Sequence, residues 1–140
     1  MREAIDVQLR QADIADRFHF AGLIPPDQVP RYLALADQLW HLSLHEGLPR
    51  SVVQALASGK PAIGFRLDGT PEIIIHGETG YCVTPEDTHM VVEYARQLLE
   101  DPVKSVRMGM TGRERTAVQF DWRRMGDILE AEYVANLTKK

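Results

Sequence analysis

The sequence has one cysteine, Cys82, so no disulfide can form within the chain, and no Cys/His pair stands at zinc-binding spacing. No apolar run approaches the ~18 residues that would cross a membrane. No basic stretch followed by an apolar one opens the chain, so no signal peptide is visible. Positive charge is also short. Sixteen Lys and Arg stand against 20 Asp and Glu, a formal net charge of −4. That balance argues against a nucleic-acid-binding face. The expected location is the cytoplasm, or the cytoplasmic side of a membrane. A length of 140 residues leaves room for one domain.

What is present is an alternation of short segments. Ile5, Leu9 and Ala12 recur at helical spacing over about the first 12 residues. Arg17 to Phe20 alternates polar and aromatic residues up to Gly22 and reads as a short strand. Asp27 is placed to cap a helix carrying Val29, Leu33 and Ala36, with Pro30 tolerated in its first turn. Gln38 to Leu44 reads as a strand. Leu48 to Ser58 reads as a helix stopped by Gly59 and Pro61. Pro61 to Phe65 is a short buried strand, Glu72 to Ile75 one helical turn, and Gly80 to Val83 another strand.

The last third is helical. Val91, Ala95, Leu98 and Leu99 define one helix, ended by Asp101-Pro102. Val106, Met110 and Ala117 define a second, in which Gly109 and Gly112 each cost about 1 kcal/mol relative to alanine. Trp122, Met125, Leu129 and Tyr133 define a third, with Asp121 as its N-cap. The two tryptophans, Trp40 and Trp122, read as packing residues. Short strands alternating with helices predict an α/β fold with a Rossmann-like parallel sheet. The domain is expected to span 1–140, with a helical tail over about 104–137.

In an open parallel sheet, ligands bind beyond the carboxyl ends of the strands. The loop His45 to Arg50 lies at such a place. Glu46 follows a strand directly, Gly47 permits close backbone approach, and Pro49 is pre-set for a first helical turn. Free N–H groups near Leu48, Arg50 and Ser51 would attract a phosphate or the polar edge of a sugar. Gln54 lies eight residues after Glu46, on the side that faces the loop. A glutamate here can equally do no more than cap the helix dipole. The second loop, Arg66 to Glu72, contains Gly69 and Thr70 and is above all a turn signal. His45, His76 and Arg66 read as solvated loop residues.

Five segments together resemble the group 1 retaining glycosyltransferases of the GT-B fold. Ser43 to Gly64 (SLHEGLPRSVVQALASGKPAIG) is similar to their S-x-x-E-G loop followed by an E-A-x-A-x-G-x-P helix and strand. Asp68 to Ile75 (DGTPEIII) resembles their G-G-x-x-E-I-I loop, and Gly77 to Val83 (GETGYCV) their G-x-x-G-x-L-V segment. Arg17 to Gly22 (RFHFAG) resembles the V-x-F-x-G strand, and Phe120 to Trp122 (FDW) the F-S-W that opens the last helix. The resemblance covers roughly residues 15 to 125.

The resemblance implies a donor site for a nucleotide diphosphate sugar, which serves as co-substrate with no further cofactor and no metal. By position, Glu46 takes the role of the family's first glutamate, facing the donor sugar and phosphates. Gly47, Leu48, Pro49 and Arg50 supply the loop contacts, joined by Gly69 and Thr70. Gln54 stands where the family has a second glutamate for the ribose hydroxyls, and so lacks its charge-assisted acceptor pair. The resemblance further implies a partial domain. The family's first strands, with the Arg and Lys that hold the diphosphate, and its N-terminal acceptor domain would precede Met1. In the usual strand order the first strand sits between the third and fourth. A sheet without it would expose an edge and favour homo-oligomers. The activity implied is retaining transfer of a hexose to an acceptor hydroxyl, with the fragment alone inactive. A phosphorylase or epimerase of the same architecture is an alternative, though Lys60 is poorly placed for pyridoxal phosphate. A non-catalytic pseudo-enzyme or assembly module is another, favoured by Gln54.

Overall fold

A computed structural model describes residues 2–137. The order is α1 (Arg2–Gln11), a 3-10 turn (Ala15–Arg17), α2 (Val29–Leu35), β1 (Leu39–His41), α3 (Arg50–Ala57), β2 (Ala62–Phe65) and α4 (Thr70–Ile73). Then follow β3 (Gly80–Val83), α5 (Thr88–Glu100), α6 (Pro102–Gln119) and α7 (Trp122–Leu137). The strands form one parallel sheet in the order β1-β2-β3, with Leu39 opposite Ala62 and Ala62 opposite Gly80. This is the α/β architecture the alternation predicts.

Every residue of β2 and β3 is buried, because helices cover both faces. On one face Ile63, Phe65, Tyr81 and Val83 pack against Val91, Ala95 and Leu98 of α5 and Met108 of α6. On the other, the small residues Ala62 and Cys82 admit Val52 and Leu56 of α3 with Ile73 and Ile74. Full burial of side chains such as Leu56 or Ile63 stabilises the fold by about 1.5–3 kcal/mol each.

The helix ends follow local chemistry. Gly59 takes φ +74°, and the N–H groups of Gly59 and Lys60 close back on Leu56 and Ala55. This is the Schellman stop that glycine permits. Asp87 accepts the N–H of Met90 at 3.0 Å and caps α5. Asp101 both ends α5 and caps α6, accepting the N–H of Lys104 at 2.9 Å. Asp121 accepts the N–H of Arg123, as its N-cap role requires.

Four expectations are corrected. Phe18 to Phe20 is not a strand: no ladder partner lies beside it among the described residues, and both phenylalanines are exposed. Asp27 does not cap α2. Gln28 holds that place in helical backbone, because a turn from Gln28 N–H to Pro25 O already leads into the helix. The strand Gln38 to Leu44 shrinks to Leu39–His41, since Ser43 turns the chain by donating its hydroxyl to the carbonyl of His45. Trp40 and Trp122 are 50% and 73% exposed, so neither is a core residue. Of the expected helical tail, α6 is packed against α3 and the sheet. Within that tail it is α7 that lacks a buried residue. No described helix is long and apolar enough to cross a membrane.

Candidate functional site

The loops after β1 and β2 meet at the carboxyl end of the sheet. Glu46 donates its backbone N–H to the Asp68 carboxylate at 3.0 Å, and Gly69 donates its own to the Gly47 carbonyl at 3.0 Å. Asp68 adopts φ +48°, a left-handed conformation that aspartate tolerates, and this backbone lets its side chain cross to the neighbouring loop. The two loops bound an open cavity of about 730 Å³. Its wall consists of His45, Glu46, Gly47 and Leu48 from the first loop, and Asp68, Gly69 and Glu72 from the second.

Beside this cavity α3 begins. Pro49 is buried at its N-cap and receives the N–H groups of Val52 and Val53. The N–H groups of Arg50 and Ser51 have no carbonyl within the helix to bind, so they form its positive end. The site therefore sets a helix N-terminus beside three carboxylates, Glu46, Asp68 and Glu72. Such a set can receive an anion on one side and several hydroxyl groups on the other. Among the described residues no cluster could hold a metal ion.

The structure brings together Glu46, Gly47, Leu48 and Gly69 around the cavity. Arg50 and Gln54 are exposed one turn apart on α3 and do not line it. Thr70 is only 3% exposed, with its methyl group packed toward Gly64 and its N–H bonded to Leu67 O. Its side chain is therefore a core contact. Sequence reasoning missed Asp68 as a partner of Glu46. The Asp-Gly dipeptide was the available signal, since it marks a place where left-handed backbone is tolerated. It also missed His41, whose ring stands between Ser51 and Glu46. The ring of His76 lies edge-on to Tyr81 and Tyr94, and its Nδ1 stands 3.1 Å from the carbonyl oxygen and 3.2 Å from the amide nitrogen of Cys82.

The family model for glycosyl transferases group 1 matches residues 1–115. The chain belongs to this family. Among curated group 1 relatives, it is 38% identical to N-acetyl-alpha-D-glucosaminyl L-malate synthase of Bacillus anthracis, over 80% of this chain and 29% of that one. It is 32% identical to D-inositol 3-phosphate glycosyltransferase of Corynebacterium diphtheriae, over 89% of this chain and 29% of that one. The chain thus spans about three-tenths of these relatives' length. Sucrose-phosphate synthase from Thermosynechococcus elongatus superposes with a TM-score of 0.87 at 27% identity, covering 96% of this chain and 35% of that one. Anabaena HepE in complex with UDP superposes with a TM-score of 0.88 at 22% identity, over 96% of this chain and 36% of that one, and shows the shared fold. The group 1 chain described here therefore has the α/β fold of GT-B glycosyltransferases.

Proposed function

We propose that this group 1 chain is the donor-binding part of an enzyme that moves a hexose from a nucleotide diphosphate sugar to an acceptor hydroxyl, with retention of anomeric configuration. One observation carries the reading. The Glu46 loop is tied to Asp68, beside the free N–H groups that open α3, at the carboxyl end of a parallel sheet. The diphosphate sits on the α3 side, at the amides of Arg50 and Ser51 and near the Arg50 guanidinium. Glu46, Asp68 and Glu72, which line the cavity, accept sugar hydroxyls. As the bond to the anomeric carbon breaks, the leaving diphosphate gains charge, and the helix N-terminus stabilises it. Gln54 meets one ribose hydroxyl.

Family members named as GDP-mannose-dependent mannosyltransferases, and the HepE complex with UDP-glucose, support a sugar nucleotide as donor. The chain alone binds donor weakly and turns over little, since GT-B chemistry takes place between two domains. Calorimetry with UDP-, GDP- and ADP-sugars, paired with a transfer assay, tests this. Binding of one donor at high micromolar to millimolar concentration with negligible transfer is the expected result. No binding of any of the three would sink the donor reading, and brisk transfer would sink the claim of inactivity. A second reading, a non-catalytic module of the same fold, is favoured by Gln54 standing where the family carries a glutamate.

A further inference from the structure

His41 is the last residue of β1, and its side chain is 14% exposed. Its two ring nitrogens face two different segments. Nδ1 lies 3.3 Å from the Ser51 hydroxyl, in the first turn of α3. Nε2 lies 3.9 Å from Glu46 Oε1. This second nitrogen is buried and has no hydrogen-bond partner.

A neutral imidazole carries one proton, and the contact made by one nitrogen decides which. If the Ser51 hydroxyl donates to Nδ1, the proton resides on Nε2 and points toward Glu46. A buried N–H requires an acceptor, and leaving it without one is costly. The Glu46 side chain is 43% exposed. A movement of roughly 1 Å would bring its oxygen to the ~2.8 Å of a charge-assisted bond.

We propose that His41 is a positioning residue for Glu46. Its Nε2–H, fixed by Ser51 at Nδ1, draws the carboxylate toward the end of β1 and orients it over the cavity. Glu46 is then held at two points, by its N–H on Asp68 and by one carboxylate oxygen on His41. The other oxygen faces the cavity and meets a hydroxyl of the donor sugar. A carboxylate ordered before the ligand arrives binds more tightly than one ordered on arrival. The ligand part of this proposal rests on the donor-site reading above.

Two measurements on the full chain test it. The first needs no ligand. At a pH where the ring is neutral, 15N imidazole spectra should show His41 with a protonated Nε2 and a bare Nδ1. Ser51→Ala should weaken that preference, and Glu46→Gln should move the Nε2 resonance. A bare Nε2 in the wild-type chain, or a resonance indifferent to Glu46→Gln, overturns the proposal.

The second is calorimetry with UDP-, GDP- and ADP-sugars. His41→Leu should weaken donor binding about tenfold, while His41→Gln, which keeps an N–H donor, should stay within about threefold of wild type. In a Glu46→Gln background, His41→Leu should cost nothing further. Equal binding by wild type and His41→Leu overturns the positioning role. If the spectra are as expected but the wild-type chain binds no sugar nucleotide, the donor reading fails and the pinning of Glu46 by His41 stands.

Discussion

Gly69 donates its amide to the Gly47 carbonyl at 3.0 Å, and a Cβ placed on Gly69 would stand 2.5 Å from that same oxygen. The hydrogen bond and the absence of a side chain are therefore one requirement. The two loops of the site touch backbone to backbone.

Gly69→Ala should force those loops apart. We expect a loss of roughly 1–3 kcal/mol in urea unfolding, the usual cost of overpacking, together with weaker donor binding by calorimetry. Unchanged unfolding and binding would show that the loops can yield.

Gly109 lies inside α6, where alanine is the better helix former by about 1 kcal/mol. A Cβ there would overlap the Gly59 carbonyl oxygen at the end of α3. Gly109→Ala should therefore destabilise the chain by roughly 1–3 kcal/mol, opposite in sign to helix propensity. Gly126, in exposed α7, has nothing within 4 Å of such a Cβ. Gly126→Ala should raise far-UV helical signal without harm. Melting curves of both variants check the pair of signs.

Gln54→Glu places a carboxylate on α3 where the sequence resemblance implies the second glutamate of the donor site. Charge-assisted hydrogen bonds are about twice as strong as neutral ones, so donor affinity should rise about three- to tenfold. Calorimetry on the variant decides between a weakened donor site and a non-catalytic module. No change favours the module.

Cys82 on β3 is buried in the cluster with Val52 and Leu56 of α3, and burial pushes its thiol above the ordinary value of roughly 8.5, against a smaller lowering by Arg66. Once the pH passes the ordinary value, the unfolded chain releases this proton and the folded chain keeps it. Stability therefore falls as pH rises from there through the raised folded value. The stability-pH curves of wild type and Cys82→Ala should converge over that range. Parallel curves would show that the thiol titrates alike in both states.

β1 has a neighbour on one side only among the described residues, and Trp40 on it is half exposed. The free edge should draw copies of this chain together. Light scattering should report a homo-oligomer, and Trp40→Lys should reduce it. A monomer at high concentration removes this expectation.

Much of the framework was legible in the sequence. Ala62–Phe65 and Gly80–Val83 read as strands because both faces are covered, which leaves a continuous apolar run. α3, α5 and α6 read as helices because one side of each packs on that sheet. Phe18 to Phe20 failed for the complementary reason, since a strand exists only with a partner and local alternation cannot supply one. Gly109 and Gly112 looked like flaws in a helix. They are places where α6 comes close to Gly59 and Leu56. In the site, Glu46 and Gly47 could be located from their place after a strand. The contacts of Asp68 and His41 could not, because both reach across segments. The burial of Thr70 was not legible either, because its methyl meets Gly64, six residues away and on another element.

Asp101 closes one helix and opens the next, so no slack separates α5 from α6. A residue inserted there would turn α6 by roughly 100° about its axis. Gly109 would swing away from Gly59, and a bulkier neighbour would meet the carbonyl in its place. The junction thus sets the rotational phase of α6 against the sheet. It is a poor place for new termini, tags or grafted loops, although it lies on the surface.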